Sequence, residues 1–167
     1  FRRVLFRSLI IQVKMEKPDR VFIVGFMGSD RMGLGKSIAD EYSYELISLD
    51  KKIEEEEGRS IKRICMVMGE HEYRNREFEM LEKLCDKSGI VVVCGDGIIF
   101  DDDNLNILRR EKTIAAGTNM TIDELWENAK NDKSIPYAFM TETDEHMKYE
   151  KFYSLYLARR HKYREFV

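Results

Sequence analysis

The chain has only three cysteines and no long apolar run, which argues against a cysteine-based metal site and against a membrane-spanning protein. The three cysteines, Cys65, Cys85 and Cys94, are far apart and lack metal-site spacing, so we expect reduced thiols in a cytoplasmic protein. No segment approaches the roughly 20 apolar residues that span a bilayer, so we expect no membrane segment. A net charge of −3 disfavours nucleic acid as a partner. The composition, 43% hydrophobic and 35% charged, instead predicts one globular domain.

The first residues differ from the rest of the chain, and they are left out of the fold prediction. Residues 1–8 resemble the translation of a sequencing adapter, and a basic targeting peptide is the alternative. We expect residues 1–14 to be an artefactual or disordered leader, with a natural start at Met15. Residues 15–167 are then expected to form a single domain.

The segment that follows has the layout of a strand, a phosphate-binding loop and a helix. Val21–Val24 is apolar and runs directly into Gly25, and a second glycine, Gly28, precedes a segment with helical periodicity. Glycines allow backbone N–H groups to face an anion, and the helix N-terminus adds a positive partial charge. The loop pattern G-x-x-x-x-G-K-[ST], counted from Gly25, ends at Asp30, Arg31 and Met32. The position suits a phosphate loop, but these side chains depart from the pattern.

A second triplet, Gly35-Lys36-Ser37, matches the end of the same pattern but lies in the wrong place. Its first glycine position would be Asp30, well past the end of the strand. Lys36 follows Arg31 by five residues, which is roughly 7.5 Å along a helix. We therefore place the loop in the frame that begins at Gly25.

Apolar strands alternate with helical segments along the whole chain, which predicts an α/β fold. The unbroken apolar strand Ile90–Cys94 indicates a parallel sheet covered on both faces. The polar segment Asn131–Glu145 is predicted to be a mobile loop. The other predicted strands are Val21–Val24, Glu45–Leu49 and Lys112–Ala116. The predicted helices are Gly33–Tyr42, Ile61–Met68, Glu70–Lys87, Asp103–Arg110, a helix capped by Thr121, and His146–Arg164.

Several segments, taken together and in this order, resemble the shikimate kinase family. The segments are GFMGS at Gly25–Ser29, LISLDKKIE at Leu46–Glu54, the two motifs within Gly58–Glu77, CGDGII at Cys94–Ile99 and LARRHKYREF at Leu157–Phe166. The resemblance covers nearly all of residues 20–167. It implies a P-loop fold of the nucleoside monophosphate kinase type, a three-layer sandwich with a parallel sheet flanked by helices. The family continues into a last edge strand and a helix, so we expect the chain to be truncated at its C-terminus, and loss of that edge in this lineage is the alternative.

The family reaction is the transfer of the γ-phosphoryl group of ATP to a hydroxyl of shikimate, with Mg²⁺. The resemblance assigns the nucleotide site to Gly25, Gly28, Ser29, Asp30, Arg31 and Met32. Arg31 is a weak substitute for the loop lysine, and a surface arginine at a helix start is the alternative. Met32 and Ser48 occupy the expected Mg²⁺ positions, so we expect no metal ligand there. Ile135 replaces the lid arginine, and the chain has no arginine between Arg110 and Arg159.

Asp30 places a fixed negative charge where the family binds phosphate. An aspartate at a helix N-terminus accepts the free N–H groups, which is typically worth about 1 kcal/mol. We therefore hypothesise that Asp30 is a built-in substitute for phosphate and that its carboxylate points at residues 32–33. ATP and Mg²⁺, expected from the family, should bind poorly, and kinase activity should be weak or absent.

The acceptor side keeps more of the family pattern. The resemblance assigns binding of a shikimate-like hydroxy-acid to Asp50, Arg74, Gly95, Asp96, Gly97 and Arg159. Two arginines make fork-like contacts with a carboxylate. The alternatives are a helix cap for Asp50, a solvated helix face for Arg74 and an exposed basic run for Arg159. Asp96 would crowd or repel an anionic ligand.

Three functions are compatible with these residues. The first is a shikimate kinase with residual activity that uses Arg31 in place of the lysine. The second is a non-catalytic relative that binds a hydroxy-acid or serves as a partner domain. An unrelated P-loop NTPase is the third, and it leaves Arg74, the G-D-G loop and Arg159 as coincidences. We expect a monomer with a small-molecule ligand and no membrane partner.

Overall fold

The computed structural model describes residues 17–167, which form four β-strands and seven α-helices. The predicted leader and the start at Met15 lie outside the described residues. The strands are β1 (Arg20–Val24), β2 (Glu45–Ser48), β3 (Ile90–Val93) and β4 (Lys112–Ala115). The helices are α1 (Arg31–Tyr42), α2 (Leu49–Glu57), α3 (Ile61–Met68), α4 (Glu70–Cys85), α5 (Asp102–Arg110), α6 (Ile122–Ala129) and α7 (Glu145–Tyr163).

The four strands form one parallel sheet in the order β2-β3-β1-β4. In the register, Ile23 pairs with Val93 on one side and with Ile114 on the other. All four strands therefore end at the same edge of the sheet. Ligands of open parallel sheets bind outside this carboxyl edge, which directs attention to the segments that follow the strands.

Helices cover both faces of the sheet, as a three-layer fold requires. Val21 and Ile23 pack with Ala39 of α1 on one face. Phe22 and Val24 belong to the larger core on the other face, beneath helices α2 to α7. Because successive residues of a strand point to opposite faces, the apolar run is buried on both sides. The predicted α/β fold is confirmed.

The capped helices begin after their predicted capping residues, whereas three strands end one residue before their predicted ends at Leu49, Cys94 and Ala116. Ser60 and Thr121 cap α3 and α6 as predicted, and Thr121 forms a capping box with Glu124. The second strand ends at Ser48 rather than Leu49, because the Ser48 hydroxyl accepts a hydrogen bond from the Lys51 N–H and starts α2. The long helix α4 ends at Cys85, two residues before the predicted end.

No helix within residues 17–167 combines the length and apolar character needed to cross a membrane. The same described residues contain no group of three or more His, Cys, Asp or Glu side chains placed to hold a metal ion.

Candidate active site

The glycine loop lies between the end of β1 at Val24 and the start of α1 at Arg31. Gly28 has φ +84°, and a Cβ there would overlap the carbonyl oxygen of Leu125 in α6. Asn128 of α6 donates a hydrogen bond to the Gly28 carbonyl oxygen at 3.0 Å. The loop thus needs glycine at this position for both its backbone conformation and its close contact with α6.

Asp30 caps α1 from inside the loop. Its Oδ1 accepts a hydrogen bond from the Gly33 N–H at 2.8 Å. The carboxylate lies so close that a Cβ on Gly33 would overlap it. This confirms the predicted orientation of Asp30, and it means that one of the N–H groups at the start of the helix already has an anionic partner.

Arg31 is half-buried and points across the cleft. Its Nη1 donates a hydrogen bond to the carbonyl oxygen of Cys94, directly after β3, at 2.9 Å. The cleft between loop and strand end has a volume of about 220 Å³. It is lined by Ser29, Asp30, Arg31, Met32, Ser48, Asp50, Val93 and Cys94.

The two positions at which the family pattern predicts Mg²⁺ ligands offer a thioether and a hydroxyl that already caps a helix. Met32 offers a thioether and is exposed, whereas Mg²⁺ prefers hard oxygen ligands. The hydroxyl of Ser48 is used to cap α2. Lys36 is exposed on α1, and Gly35 faces the sheet, where a Cβ would meet the Val93 side chain. The Gly35-Lys36-Ser37 triplet therefore does not face the loop.

Arg74 of α4 is buried, so the alternative of a solvated helix face is wrong. Its guanidinium contacts Glu77 Oε2 at 2.5 Å and Glu70 Oε1 at 3.0 Å. Its Nη2 also donates to the hydroxyl of Tyr137 at 3.0 Å. Gly97 lies against this guanidinium, and a Cβ there would overlap Nη2. The G-D-G loop can approach Arg74 closely only because it has glycine here.

Arg159 of α7 is also buried and faces the same loop, so the alternative of a solvated basic run is wrong for this residue. Its Nη1 lies 3.2 Å from Asp96 Oδ2 and 3.2 Å from the hydroxyl of Tyr137. The same hydroxyl donates to Asp96 at 3.1 Å. Tyr163 donates a hydrogen bond to the Asp96 carbonyl oxygen and so attaches the loop to α7. Arg74, Arg159, Asp96 and Tyr137 form one cluster, which we call the arginine cluster.

Asp50 lies between the cleft and this cluster and is not the cap of α2. The helix begins at Leu49, with Ser48 as its cap. Asp50 Oδ1 accepts a hydrogen bond from the hydroxyl of Tyr73 at 2.7 Å, and a Cβ on Gly95 would lie 3.2 Å from the same oxygen. Burial raises the pKa of Asp50, while the Tyr73 hydrogen bond and Arg31 oppose the change.

Glu77 is the most perturbed carboxylate of the site. It is fully buried, and burial raises its pKa from 4.5 to about 7 although Arg74 favours the ionised form. Burial likewise raises the pKa of Tyr73, with a further contribution from Glu77. Glu77 therefore holds its proton more tightly in the folded chain than in the unfolded chain, although it contacts Arg74.

The central part of the segment predicted to be a mobile loop is packed against the site, while residues 131–134 and 141–145 are exposed. Ile135 is buried in the main core, and Ala138–Thr141 forms a short 3-10 helix. Tyr137 reaches the arginine cluster, and burial raises the pKa of its hydroxyl. Ile135 provides no cation where the family pattern has an arginine. The backbone here is held by apolar contacts and by one tyrosine hydroxyl.

Three residues of the site, Tyr73, Glu77 and Tyr137, had no role in the sequence prediction. Glu77 follows Arg74 by three residues on a helix, a spacing that allows an ion pair, so its role was readable from the sequence. Tyr137 contacts residues 63 and 22 positions away. Nothing local in the sequence indicates those contacts.

The parallel sheet, the glycine loop between β1 and α1, and the residues gathered at the carboxyl edge define a P-loop kinase fold. A model of the family described as shikimate kinase matches residues 27–166, and the chain belongs to that family. The shikimate kinase of Persephonella marina is 30% identical over 116 residues, which cover 70% of each protein.

Two further relatives show how the similarity is distributed. The bifunctional shikimate kinase/3-dehydroquinate synthase of Thermotoga maritima is 39% identical over 95 residues, which are 57% of this chain and 19% of that protein. The shikimate kinase of Acinetobacter baumannii, solved in complex with shikimate, superposes with a TM-score of 0.80. It is 24% identical, and the match covers 92% of this chain and 82% of that one, so it supports the fold.

Proposed function

We propose that this chain keeps an acceptor pocket of the shikimate kinase type but has weak or absent ATP-dependent phosphorylation of shikimate. The observation that carries the proposal is the Asp30 carboxylate on the Gly33 N–H. A phosphate-binding loop needs these N–H groups free for the nucleotide. In this chain one of them is taken by an anion of the protein itself.

The cations around the reaction centre are also altered. Phosphoryl transfer depends on positioning and on cations around the transferred group. Arg31 supplies a charge, but its guanidinium is bonded to the Cys94 carbonyl. Met32 has no oxygen to offer Mg²⁺, and Ile135 leaves the lid without an arginine. Removal of one transition-state electrostatic donor commonly costs about 10²–10³ in rate, and several are changed here.

The acceptor side supports binding of a small hydroxylated ring. Asp50 has one carboxylate oxygen bonded to Tyr73, and a second oxygen remains to accept ligand hydroxyls. Arg74 and Arg159 are buried and contact the G-D-G loop at Gly97 and Asp96. A cleft of about 220 Å³ connects Asp50 to the glycine loop. This arrangement places hydroxyl recognition next to a phosphate site in which Asp30 occupies the Gly33 N–H.

A non-catalytic binding or partner domain is the second candidate function. The capping role of Asp30 favours it, because this substitution stabilises the helix while it blocks the anion site. The fold can therefore persist without a nucleotide.

The test is shikimate-dependent ADP release from MgATP, measured with the unaltered protein and with a revertant. The revertant carries Asp30→Gly, Arg31→Lys, Met32→Ser and Ser48→Asp. We expect release by the unaltered protein at the level of a no-enzyme blank, and turnover by the revertant once the shikimate concentration is high enough to fill the acceptor pocket. Addition of Asp50→Asn to the revertant should remove that turnover and serves as the control for the acceptor site. Turnover by the unaltered protein well above the blank would overturn the proposal.

A further inference from the structure

The Asp96 carboxylate occupies the anion position of the arginine cluster. Its Oδ2 lies 3.2 Å from Arg159 Nη1 and accepts the Tyr137 hydroxyl at 3.1 Å. The side chain is buried, as are those of both arginines. Tyr163 fixes the backbone of Asp96 through its carbonyl oxygen. The carboxylate is thus held on Arg159 from two sides.

Carboxylates already outnumber guanidiniums around this cluster. Arg74 contacts Glu70 and Glu77, and Arg159 contacts Asp96, so two guanidiniums meet three carboxylates. A ligand carboxylate would bring a fourth anion into a buried region. Burying a charge without a free partner is costly, and like charges a few ångströms apart repel strongly at low dielectric. A hydroxy-acid anion would have to displace Asp96 from Arg159 in order to bind there.

Hydroxyl recognition remains possible in the same cluster. Within the described residues, the buried Nε atoms of Arg74 and Arg159 have no hydrogen-bond partner. Buried donors are normally satisfied, so the cluster by itself is incomplete. A neutral hydroxyl supplies an oxygen acceptor without adding charge, and Asp50 accepts the hydroxyl proton of a neighbouring group.

We propose that Asp96 is a specificity-determining residue. Its carboxylate takes the place of a ligand carboxylate on Arg159, so the pocket selects a neutral hydroxylated ring over the matching hydroxy-acid anion. This inference rests on the proposed function, since it requires the arginine cluster to be part of the acceptor pocket. It names the class of ligand for that pocket and is independent of phosphoryl transfer.

The experiment compares two ligands that share one ring. Shikimate carries the carboxylate, and its methyl ester keeps the ring and all hydroxyls without the charge. Dissociation constants for both are measured by calorimetric titration with the unaltered protein, Asp96→Gly, Asp96→Asn and the control Asp103→Asn. Asp103 is exposed at the start of α5, so its replacement removes one negative charge away from the arginines. Thermal melts verify that each variant is folded.

We expect the unaltered protein and Asp103→Asn to bind the ester at least tenfold more tightly than shikimate. Asp96→Gly should reverse this preference by about tenfold or more, because Arg159 gains a free site for a charge-assisted bond. Asp96→Asn should fall between them, since it removes the charge but keeps the side-chain volume. If Asp96→Gly does not fold, the ratio of the two dissociation constants in Asp96→Asn tests the inference instead, and it should shift in the same direction.

Two results would overturn the inference, and they differ in what else they affect. Shikimate binding as tight as ester binding in the unaltered protein, with no change in Asp96→Gly, removes the role of Asp96 but leaves the acceptor pocket in place. Absence of binding of either ligand to any folded variant overturns the inference together with the proposed acceptor pocket.

Discussion

Asp30 caps α1 and, in the function proposed above, also blocks phosphate, and its replacement separates the two effects. In the structure its Oδ1 accepts the Gly33 N–H at 2.8 Å at the start of α1. Replacement of a capping aspartate by alanine typically costs about 1 kcal/mol. Loss of the negative charge from the helix N-terminus adds roughly 0.3–1 kcal/mol at an exposed site. Asp30→Ala should therefore lower the free energy of unfolding by about 1–2 kcal/mol.

The same variant should gain affinity for an inorganic anion. A carboxylate and a phosphate about 4 Å apart repel by about 1 kcal/mol per charge pair in water and by about 4 kcal/mol at an effective dielectric of 20. Asp30 is exposed, which favours the lower figure. Removal of the side chain also frees the Gly33 N–H. Sulfate should then stabilise Asp30→Ala more than the unaltered protein, by about 2.7 kcal/mol at a concentration 100 times its dissociation constant.

Urea unfolding at matched ionic strength, with sulfate or with chloride, measures both effects. Asp40→Ala is the matched control, because Asp40 is exposed on the same helix and does not cap it. Asp30→Asn is a second control that keeps a capping oxygen and removes the charge, so its loss of stability should be small. Our reasoning is refuted if Asp30→Ala is as stable as the unaltered protein. It is equally refuted if sulfate stabilises all four proteins alike.

Three further predictions follow from single contacts. Gly28→Ala should destabilise the fold by more than Gly58→Ala, as measured by urea unfolding. Both positions have a left-handed backbone, which costs a residue other than glycine about 1–2 kcal/mol, but only Gly28 also lies against Leu125. Folding raises the pKa of Glu77 from 4.5 to about 7, so the folded state binds its proton more tightly and stability falls as pH rises through that window. Glu77→Gln should remove this pH dependence, which amounts to up to roughly 3 kcal/mol of unfolding free energy across the window. The same pH dependence in the variant and the unaltered protein would contradict the assignment. Tyr137→Phe should lower the free energy of unfolding by about 1–3 kcal/mol, because two arginines and Asp96 lose a hydrogen-bond partner. An unchanged midpoint of urea unfolding would contradict this prediction.

The fold was predictable because its signals are local. The apolar run Val21–Val24 and the glycines after it define a strand and a loop, and the parallel sheet follows from apolar strands alternating with helices. The error at the end of β2 also has a local cause. Leu49 is apolar and reads as strand, but the Ser48 cap starts the helix one residue earlier.

The arginine cluster was only partly predictable, because its contacts join distant parts of the chain. Arg74 and Arg159 were located by family pattern alone, and the pairing of Arg159 with Asp96 spans 63 positions. The segment around Tyr137 is polar in composition, so the sequence indicates a loop. Its burial depends on the cluster that Arg74 and Arg159 form, which only the folded chain assembles.

The central claim is that the protein's own residues block the nucleotide half of the site. Calorimetric titration of MgATP into the unaltered protein, beside the fourfold revertant described above, tests it most directly. We predict no saturable binding by the unaltered protein up to millimolar MgATP and saturable binding by the revertant. Micromolar binding of MgATP by the unaltered protein, with Asp30 and Met32 in place, would contradict the account.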